Sequence, residues 1–218
     1  MPLVRPLGRF CFILFAVFAV SVPTMGASPP VAEAVKDVQP DALVRSITEE
    51  VMRLTVEATV KSTGELKDHK KLIRDVQLIV EPHFDFARMT RLALGVHWRK
   101  ATVKQQEELT AEFRTLLLNT YSGIFIILRA HTPEFKPFRM TPKDTDVTVR
   151  LELKKKAQVI KFGVSMEKTS AGWKVYNIVV DGVSLVSTYR ETFSAKVKES
   201  GIDGLIAELS KKNQEFLK

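Results

Sequence analysis

Residues 147–180 read VTVRLELKKKAQVIKFGVSMEKTSAGWKVYNIVV, and this stretch decides the fold. Apolar and polar residues alternate strictly in its first two segments, which is typical of half-buried antiparallel strands. The alternating apolar residues are Val147, Val149, Leu151 and Leu153, followed by Ile160, Phe162, Val164 and Met166. The lysines at 154–156 fit the hairpin turn between the two strands. The pattern therefore predicts the centre of an antiparallel sheet with one apolar face.

Two further strands are predicted beside this pair. Trp173 to Val180 follows a turn at Ala171 and Gly172 and is more apolar. A shorter strand around Phe135 to Met140 precedes the pair. Together these segments predict a curved antiparallel sheet of about four strands.

Helical periodicity of three to four residues flanks the strands on both sides. Upstream it predicts helices from Asp41 to Gly64, from Leu66 to a stop before Pro82, from about Asp85 to Leu94, and from a capping box at Thr102 and Gln105 through Leu128. Downstream it predicts two closing helices, the second beginning after Gly201. Helices before and after a strand meander indicate the α+β class, in which the sheet packs its apolar face on helices. This arrangement is a cup whose interior can be filled.

The amino-terminal residues have the features of a secretory signal peptide. Arg5 and Arg9 precede an uncharged run from Phe10 to Val20, and small residues follow. This apolar run is well short of the roughly 20 residues that a transmembrane helix needs. We therefore expect residues 1–27 to be a signal peptide, residues 28–40 a flexible lead, and residues 41–218 a single exported domain.

Composition and charge exclude several functional classes. Cys11 is the single cysteine and would leave with the signal peptide, so the exported domain would have neither disulfides nor thiolate chemistry. Removal of Arg5 and Arg9 lowers the formal net charge from +8 to +6. Such a surplus suits anionic lipid head groups or an acidic protein partner. We expect no nucleic-acid partner, because the chain is exported and has no nucleic-acid-binding motif.

Catalytic and metal-ligating residues show no recognisable spacing. The four histidines, at 69, 83, 97 and 131, form no metal-binding pair. No nucleophile elbow, phosphate-binding glycine loop or His-Glu-x-x-His motif occurs. We expect no catalytic residue, no metal and no cofactor, although a small-molecule enzyme that uses one acid or histidine inside the cup stays an alternative.

Apolar residues exceed the need of an ordinary core on the elements that face each other. The stretch Ile124 to Leu128 is apolar on every side, which a helix with one solvent face should not be. Periodicity reports burial and does not distinguish a solid core from a lined cavity. Both readings remain open at this point.

Four segments together resemble the periplasmic toluene-tolerance auxiliary family, the MlaC-like phospholipid-binding proteins of the Mla lipid-transport system. They are FDFARMTRLALGVHW at 84–98, the run from Gln106 through Phe113 to Tyr121, GWKVYNIVVDGVSLVSTYR at 172–190, and GIDGLI at 201–206. Asn177 departs from the family, which tends to carry an acid at this position. The resemblance covers nearly the whole domain.

The resemblance implies a periplasmic carrier with a cup-like fold similar to nuclear transport factor 2. Phospholipid tails would be buried inside it and the head group would lie near solvent. The implied partners are phospholipid, an inner-membrane ABC transporter with an MCE-domain protein, and an outer-membrane lipoprotein complex. The expected lipid-binding residues are Leu117, Tyr121, Ile124, Phe125, Leu128, Phe138, Val149, Leu151, Phe162, Val164 and Val175. A carrier of another envelope lipid, such as a hopanoid, and a lipid-free adaptor are the further alternatives.

Overall fold

The computed structural model describes residues 38–61, 69–121 and 130–216. The helices in these ranges are labelled α1 to α5 in chain order. They span Pro40–Lys61, His69–Val80, Phe86–Leu94, Val103–Tyr121 and Leu185–Glu215. Within these ranges, no helix has both the length and the apolar character needed to cross a membrane. The predicted signal peptide, the predicted helix end at Gly64 and the apolar stretch Ile124 to Leu128 lie outside the described residues.

Side-chain caps set where α3 and α4 begin. The carboxylate of Asp85 accepts a hydrogen bond from the backbone N–H of Arg88 at 2.8 Å. At the start of α4, the N–H of Gln105 donates to Thr102 Oγ1 at 3.2 Å, and the N–H of Thr102 donates to Gln105 Oε1 at 3.0 Å. This reciprocal pair is the predicted capping box, and it satisfies amides that the helix itself cannot.

Proline and glycine end or interrupt two other helices, as predicted. α2 stops at Val80, before Pro82. Gly201 interrupts α5 with φ 72° and ψ −177°, a conformation that glycine almost alone adopts. α5 therefore consists of two helical segments, which confirms the prediction of two closing helices.

Within the described residues, the sheet is a five-stranded antiparallel meander in the order β1-β2-β3-β4-β5. Its strands span Thr132–Phe135, Asp146–Lys155, Gln158–Thr169, Gly172–Val180 and Val183–Ser184. The predicted α+β class, with a curved antiparallel sheet packed on helices, is confirmed. The strand count and the first strand differ from the prediction.

β1 lies earlier in the chain than predicted. It ends at Phe135, where the predicted strand began. The N–H of Lys136 still donates to the carbonyl of Arg150 at 2.9 Å, but Pro137 has no N–H with which to extend the ladder. Phe138 therefore lies beyond β1 and not on a strand.

The fifth strand arises from a tight turn after β4. Asp181 and Gly182 have φ values of 47° and 86°, the left-handed conformation of a two-residue hairpin turn. This turn brings Val183 and Ser184 back beside the end of β4. A strand of two residues is too short to show alternation, so sequence periodicity does not reveal it.

Buried side chains form three clusters that meet at Phe84. One cluster joins α3, α4 and α5, a second joins α1 to the sheet, and a third joins α1 to α2. Phe84 packs against all three and its backbone pairs with Val175 of β4. The adjacent N–H of Asp85 donates to the Val175 carbonyl at 2.8 Å. These contacts fasten the segment before α3 to the sheet. Part of α1 packs on the sheet, and a space remains between the two elsewhere.

Candidate functional site

An apolar cavity of about 400 Å³ lies between α1 and the inner face of the sheet. α1 contributes Val44, Ile47 and Val51 to one wall. Residues of β2, β3 and β4 form the opposite wall, and α3, α4 and the start of α5 complete it. The volume lies in the range of roughly 300–1,000 Å³ that is typical of small-molecule sites.

Polar groups are scarce in the cavity wall. Among the described lining residues, only Thr48, Tyr121 and Thr188 have a polar side-chain atom, and none is charged. The hydroxyl of Thr48 donates to the Val44 carbonyl at 2.8 Å, and that of Thr188 donates to the Ser184 carbonyl at 3.0 Å. These two hydroxyl protons are thus engaged by backbone carbonyls of the same chain segment. Such a wall accommodates hydrocarbon.

Exposed lining residues mark the mouth of the cavity. Val183 of β5 is 63% exposed, and Tyr121 at the end of α4 is 38% exposed. Thr188, in the first turn of α5, is also exposed. In contrast, Val51 and Met89 are each 1% exposed, so the cavity runs from this mouth into the core.

The expected lipid-binding residues occupy three kinds of position. Six of them line the cavity, namely Leu117, Tyr121, Leu151, Phe162, Val164 and Val175. Val149 and Phe138 do not line it. Ile124, Phe125 and Leu128 lie outside the described residues. Contact between any of these residues and lipid stays a prediction.

Val149 and Phe138 belong to packed core instead of the cavity wall. Val149 is 1% exposed and lies in the cluster that joins α1 to the sheet. Phe138 packs half-buried against the same cluster and borders a polar surface depression beside Arg139 and Asp144. Alternation along a strand assigns the face of a residue, but it does not say whether a neighbouring side chain or empty space covers that face.

Sequence reasoning missed the contribution of α1 and α3 to the site. The apolar stripe of Val44, Ile47 and Val51 predicts a buried helix face, but no local pattern identifies the surface that this face covers. Phe86 and Met89 of α3 line the cavity as well. A search for apolar helix faces that are wider than contact with the neighbouring helix requires would have identified α1.

Arg88 joins α3, and with it part of the cavity wall, to the sheet. Its guanidinium contacts Asp146 at 2.9 Å, pairs with Glu167, and lies 3.7 Å from the centre of the Tyr176 ring. The Tyr176 hydroxyl donates to Asp146 at 2.8 Å, and burial followed by this bond raises the pKa of Tyr176. In the described part of the chain, no group of three or more His, Cys, Asp or Glu side chains is placed to hold a metal.

Asn177 fixes the turn that carries the mouth. Its side-chain oxygen accepts hydrogen bonds from Ser184 Oγ at 3.1 Å and from the N–H of Val186 at 3.2 Å. Ser184 in turn caps α5, since its hydroxyl accepts from the N–H of Ser187 at 3.2 Å. The amide oxygen thus does what an acid would do at this position, without a charge.

Comparisons with known proteins agree with this geometry. The family model for MlaC protein matches residues 49–211, a range that contains all five strands and most of the cavity wall. A phospholipid-binding protein from Ralstonia solanacearum, solved in complex with a phospholipid, has a similar structure with a TM-score of 0.71. The two sequences are 31% identical, and the alignment covers 83% of this chain and 100% of the other.

Proposed function

Because this chain belongs to the MlaC family, we propose that it binds phospholipid in the apolar cavity and carries it through the periplasm. The observation that carries the proposal is the cavity wall, in which no described residue is charged and only three have a polar side-chain atom. The similar protein from Ralstonia solanacearum, which was solved with a phospholipid, supports it.

In this proposal the two parts of a phospholipid occupy different places. The acyl chains occupy the apolar interior, and the head group stays at the mouth near Tyr121 and Val183. Transfer of roughly thirty methylenes from a membrane into water costs on the order of 24 kcal/mol at about 0.8 kcal/mol each. An unassisted phospholipid therefore crosses water very slowly. A protein cavity removes this barrier without any covalent step.

The route that we propose follows from the family. The carrier exchanges lipid with an inner-membrane ABC transporter that contains an MCE-domain protein, and with an outer-membrane lipoprotein complex. It thereby maintains the lipid asymmetry of the outer membrane. In this proposal residues 1–27 direct export, residues 28–40 form a lead, and residues 41–218 form the lipid-binding domain.

The cavity supports binding over catalysis. General acid–base chemistry needs a group that titrates near the working pH and lies within hydrogen-bond reach of the substrate. The described lining offers Thr48, Thr188 and Tyr121 for this purpose. Hydroxyl groups of these types are poor general acids and bases at neutral pH compared with an imidazole or a carboxylate.

Native mass spectrometry of the protein purified under mild conditions tests the proposal, followed by denaturing extraction to identify the ligand. We expect a two-tailed phospholipid. A rigid polycyclic lipid would replace the proposal by a hopanoid-type carrier. A lipid-free protein that takes up nothing from phospholipid vesicles would contradict any lipid carrier and favour an adaptor.

A further inference from the structure

The hairpin of β2 and β3 projects past β4 and β5 at the end of the sheet where the cavity opens. Val183 of the mouth pairs with Val180, and Val180 pairs with Phe162 of β3. Beyond that row, β2 and β3 continue to pair with each other as far as Lys155 and Gln158. At about 3.3 Å per residue, the turn of the hairpin lies roughly 15 to 20 Å beyond Phe162 along the strand. The sheet therefore has a protruding tip at its mouth end.

The turn between β4 and β5 is fastened to the base of this hairpin. Asp181 Oδ1 accepts a hydrogen bond from the N–H of Lys161 at 2.9 Å, and the N–H of Asp181 donates to the Lys161 carbonyl at 2.9 Å. The same turn leads directly to Val183, which lines the cavity mouth. On the inner face of the hairpin, Leu153 lines the cavity and pairs with Ile160. The hairpin thus extends the cavity wall, and a surface in contact with its tip lies on the mouth side of the protein.

The positive charge of the tip is largely uncompensated. The exposed hairpin lysines that have no ion-pair partner among the described residues are Lys155, Lys156 and Lys161. The carboxylates of Glu134 and Glu152 are close by, but both pair with Lys154 and Lys136. The free lysines are therefore available to an anionic partner.

Lys156 has a backbone conformation that lysine seldom adopts. Its φ is 52°, and it occupies the first central position of the two-residue turn between Lys155 and Gln158. Turns of this kind favour Gly, Asn or Asp where φ is positive, because a larger side chain is strained there. The hairpin is therefore less stable with lysine at position 156 than with asparagine. What the lysine adds in return is a positive charge at the most protruding point.

The chemistry and size of the tip fit a bilayer surface better than a protein partner. Val159 is 41% exposed and lies on the same strand as the free Lys161. Lysines attract anionic head groups, and an exposed apolar side chain enters the interface between head groups and acyl chains. A stable protein interface takes about 20–30 residues a side, which is far more than a hairpin tip offers.

We propose that the hairpin tip, residues 154–161, docks the lipid-loaded protein on a bilayer that contains anionic phospholipid, with the cavity mouth on the side that faces the bilayer. This inference rests on the proposed function, because it supplies the membrane contact at which a carrier takes up or releases lipid. The attraction acts over a Debye length of about 10 Å at 0.1 M salt, so docking weakens as salt rises.

Flotation of lipid-loaded protein with vesicles tests the proposal. One set of vesicles is phosphatidylcholine alone, and in the other about one third of the lipid is phosphatidylglycerol, which adds negative charge. The double variant Lys155→Gln/Lys156→Gln removes two charges from the tip. The matched control, Lys143→Gln/Lys168→Gln, removes two exposed charges near the opposite end of the sheet, where β3 turns into β4 and the chain enters β2.

We expect the wild-type protein to bind the phosphatidylglycerol vesicles and not the neutral ones. The tip variant should lose about 30-fold in affinity, about fivefold for each lysine, and the control should lose less than about twofold. Equal losses in the two variants would show that only net charge matters and would overturn the proposal. Unchanged binding by the tip variant, or no binding by the wild-type protein, would overturn it as well.

Lys156→Asn separates the charge from the fold of the hairpin. This variant should keep or raise the free energy of unfolding in urea and still lose about fivefold in vesicle affinity. Unchanged vesicle affinity together with slower association with the isolated inner-membrane complex would assign the tip to a protein partner and overturn the proposal. Native mass spectrometry of the same samples keeps the two claims apart. Lipid-loaded protein that ignores vesicles contradicts only the docking, whereas protein that never holds lipid contradicts the proposed function.

Discussion

A pair of arginine substitutions on β3 separates cavity wall from solid core. Phe162 and Met166 lie on the same face of this strand, four residues apart. Phe162 lines the cavity and pairs with Val180, which in turn pairs with Val183 at the mouth. Met166 is 0% exposed and is surrounded by packed side chains. The two positions therefore predict different outcomes for the same substitution.

The magnitudes follow from what each arginine would meet. An arginine at position 162 faces a partly open cavity, so its long side chain can extend to the mouth. Phe162→Arg should therefore lower the free energy of unfolding of the lipid-free protein by about 1–2 kcal/mol. Against bound acyl chains, the same charge is desolvated at a cost of about 3 kcal/mol or more, which weakens lipid binding more than 100-fold. Met166→Arg has no path to water and costs about 3–5 kcal/mol of the roughly 5–15 kcal/mol that stabilises a domain.

Urea unfolding followed by circular dichroism, together with native mass spectrometry of lipid-loaded protein, checks both variants. We expect Phe162→Arg to be folded and lipid-free, and Met166→Arg to be strongly destabilised. If Phe162→Arg unfolds as readily as Met166→Arg, position 162 is solid core. If it is folded and keeps its lipid, the ligand does not occupy this cavity.

Three further predictions concern the mouth, the last helix and docking. Asn177→Ala should lower the free energy of unfolding by about 1–2 kcal/mol through loss of a half-buried hydrogen-bond acceptor. Asn177→Asp should keep this free energy or raise it by about 0.5 kcal/mol, because the charge lies at the start of a helix. Chemical denaturation measures both changes. Gly201→Ala should lower the free energy of unfolding by about 1–3 kcal/mol. The cost comes from backbone strain alone, since a Cβ at this position meets nothing within 4 Å. An unchanged melting curve would contradict this. Higher salt should lower the rate of association with the isolated inner-membrane complex in surface plasmon resonance and leave the dissociation rate unchanged. Lys155→Gln should lower the association rate more than Lys154→Gln, because Lys154 is already ion-paired.

Short-range signals in the sequence predict the secondary structure well. The alternation in residues 147–166 predicts β2 and β3 because one face of each strand is apolar and is buried or half-buried from Val147 to Leu153 and from Ile160 to Met166. The start of α4 is evident from Thr102 and Gln105, which hydrogen-bond to each other's backbone N–H. The break in α5 is evident from Gly201, whose backbone conformation favours glycine. Hydrophobic periodicity does not predict the two-residue β5 or the early end of β1. A tight turn determines β5, and a proline ends β1.

The cavity depends on contacts that no local pattern contains. Val149 and Val164 face each other on adjacent strands, yet only Val164 lines the cavity. Val149 packs in the cluster that includes Leu43 and Val44 of α1, about a hundred residues earlier in the chain, whereas Val164 borders the space between α1 and the sheet. The family resemblance suggested a pocket, and the position of α1 locates it.

Photo-crosslinking with a phospholipid that carries a diazirine near the end of an acyl chain tests the central claim most directly. After irradiation of the loaded protein, peptide mass spectrometry locates the adducts. We predict adducts on α1 at Val44 to Val51 and on β3 at Phe162 and Val164, the two walls that enclose the chains. Adducts confined to the outer face of the sheet, around Arg150 and Lys161, would contradict the account.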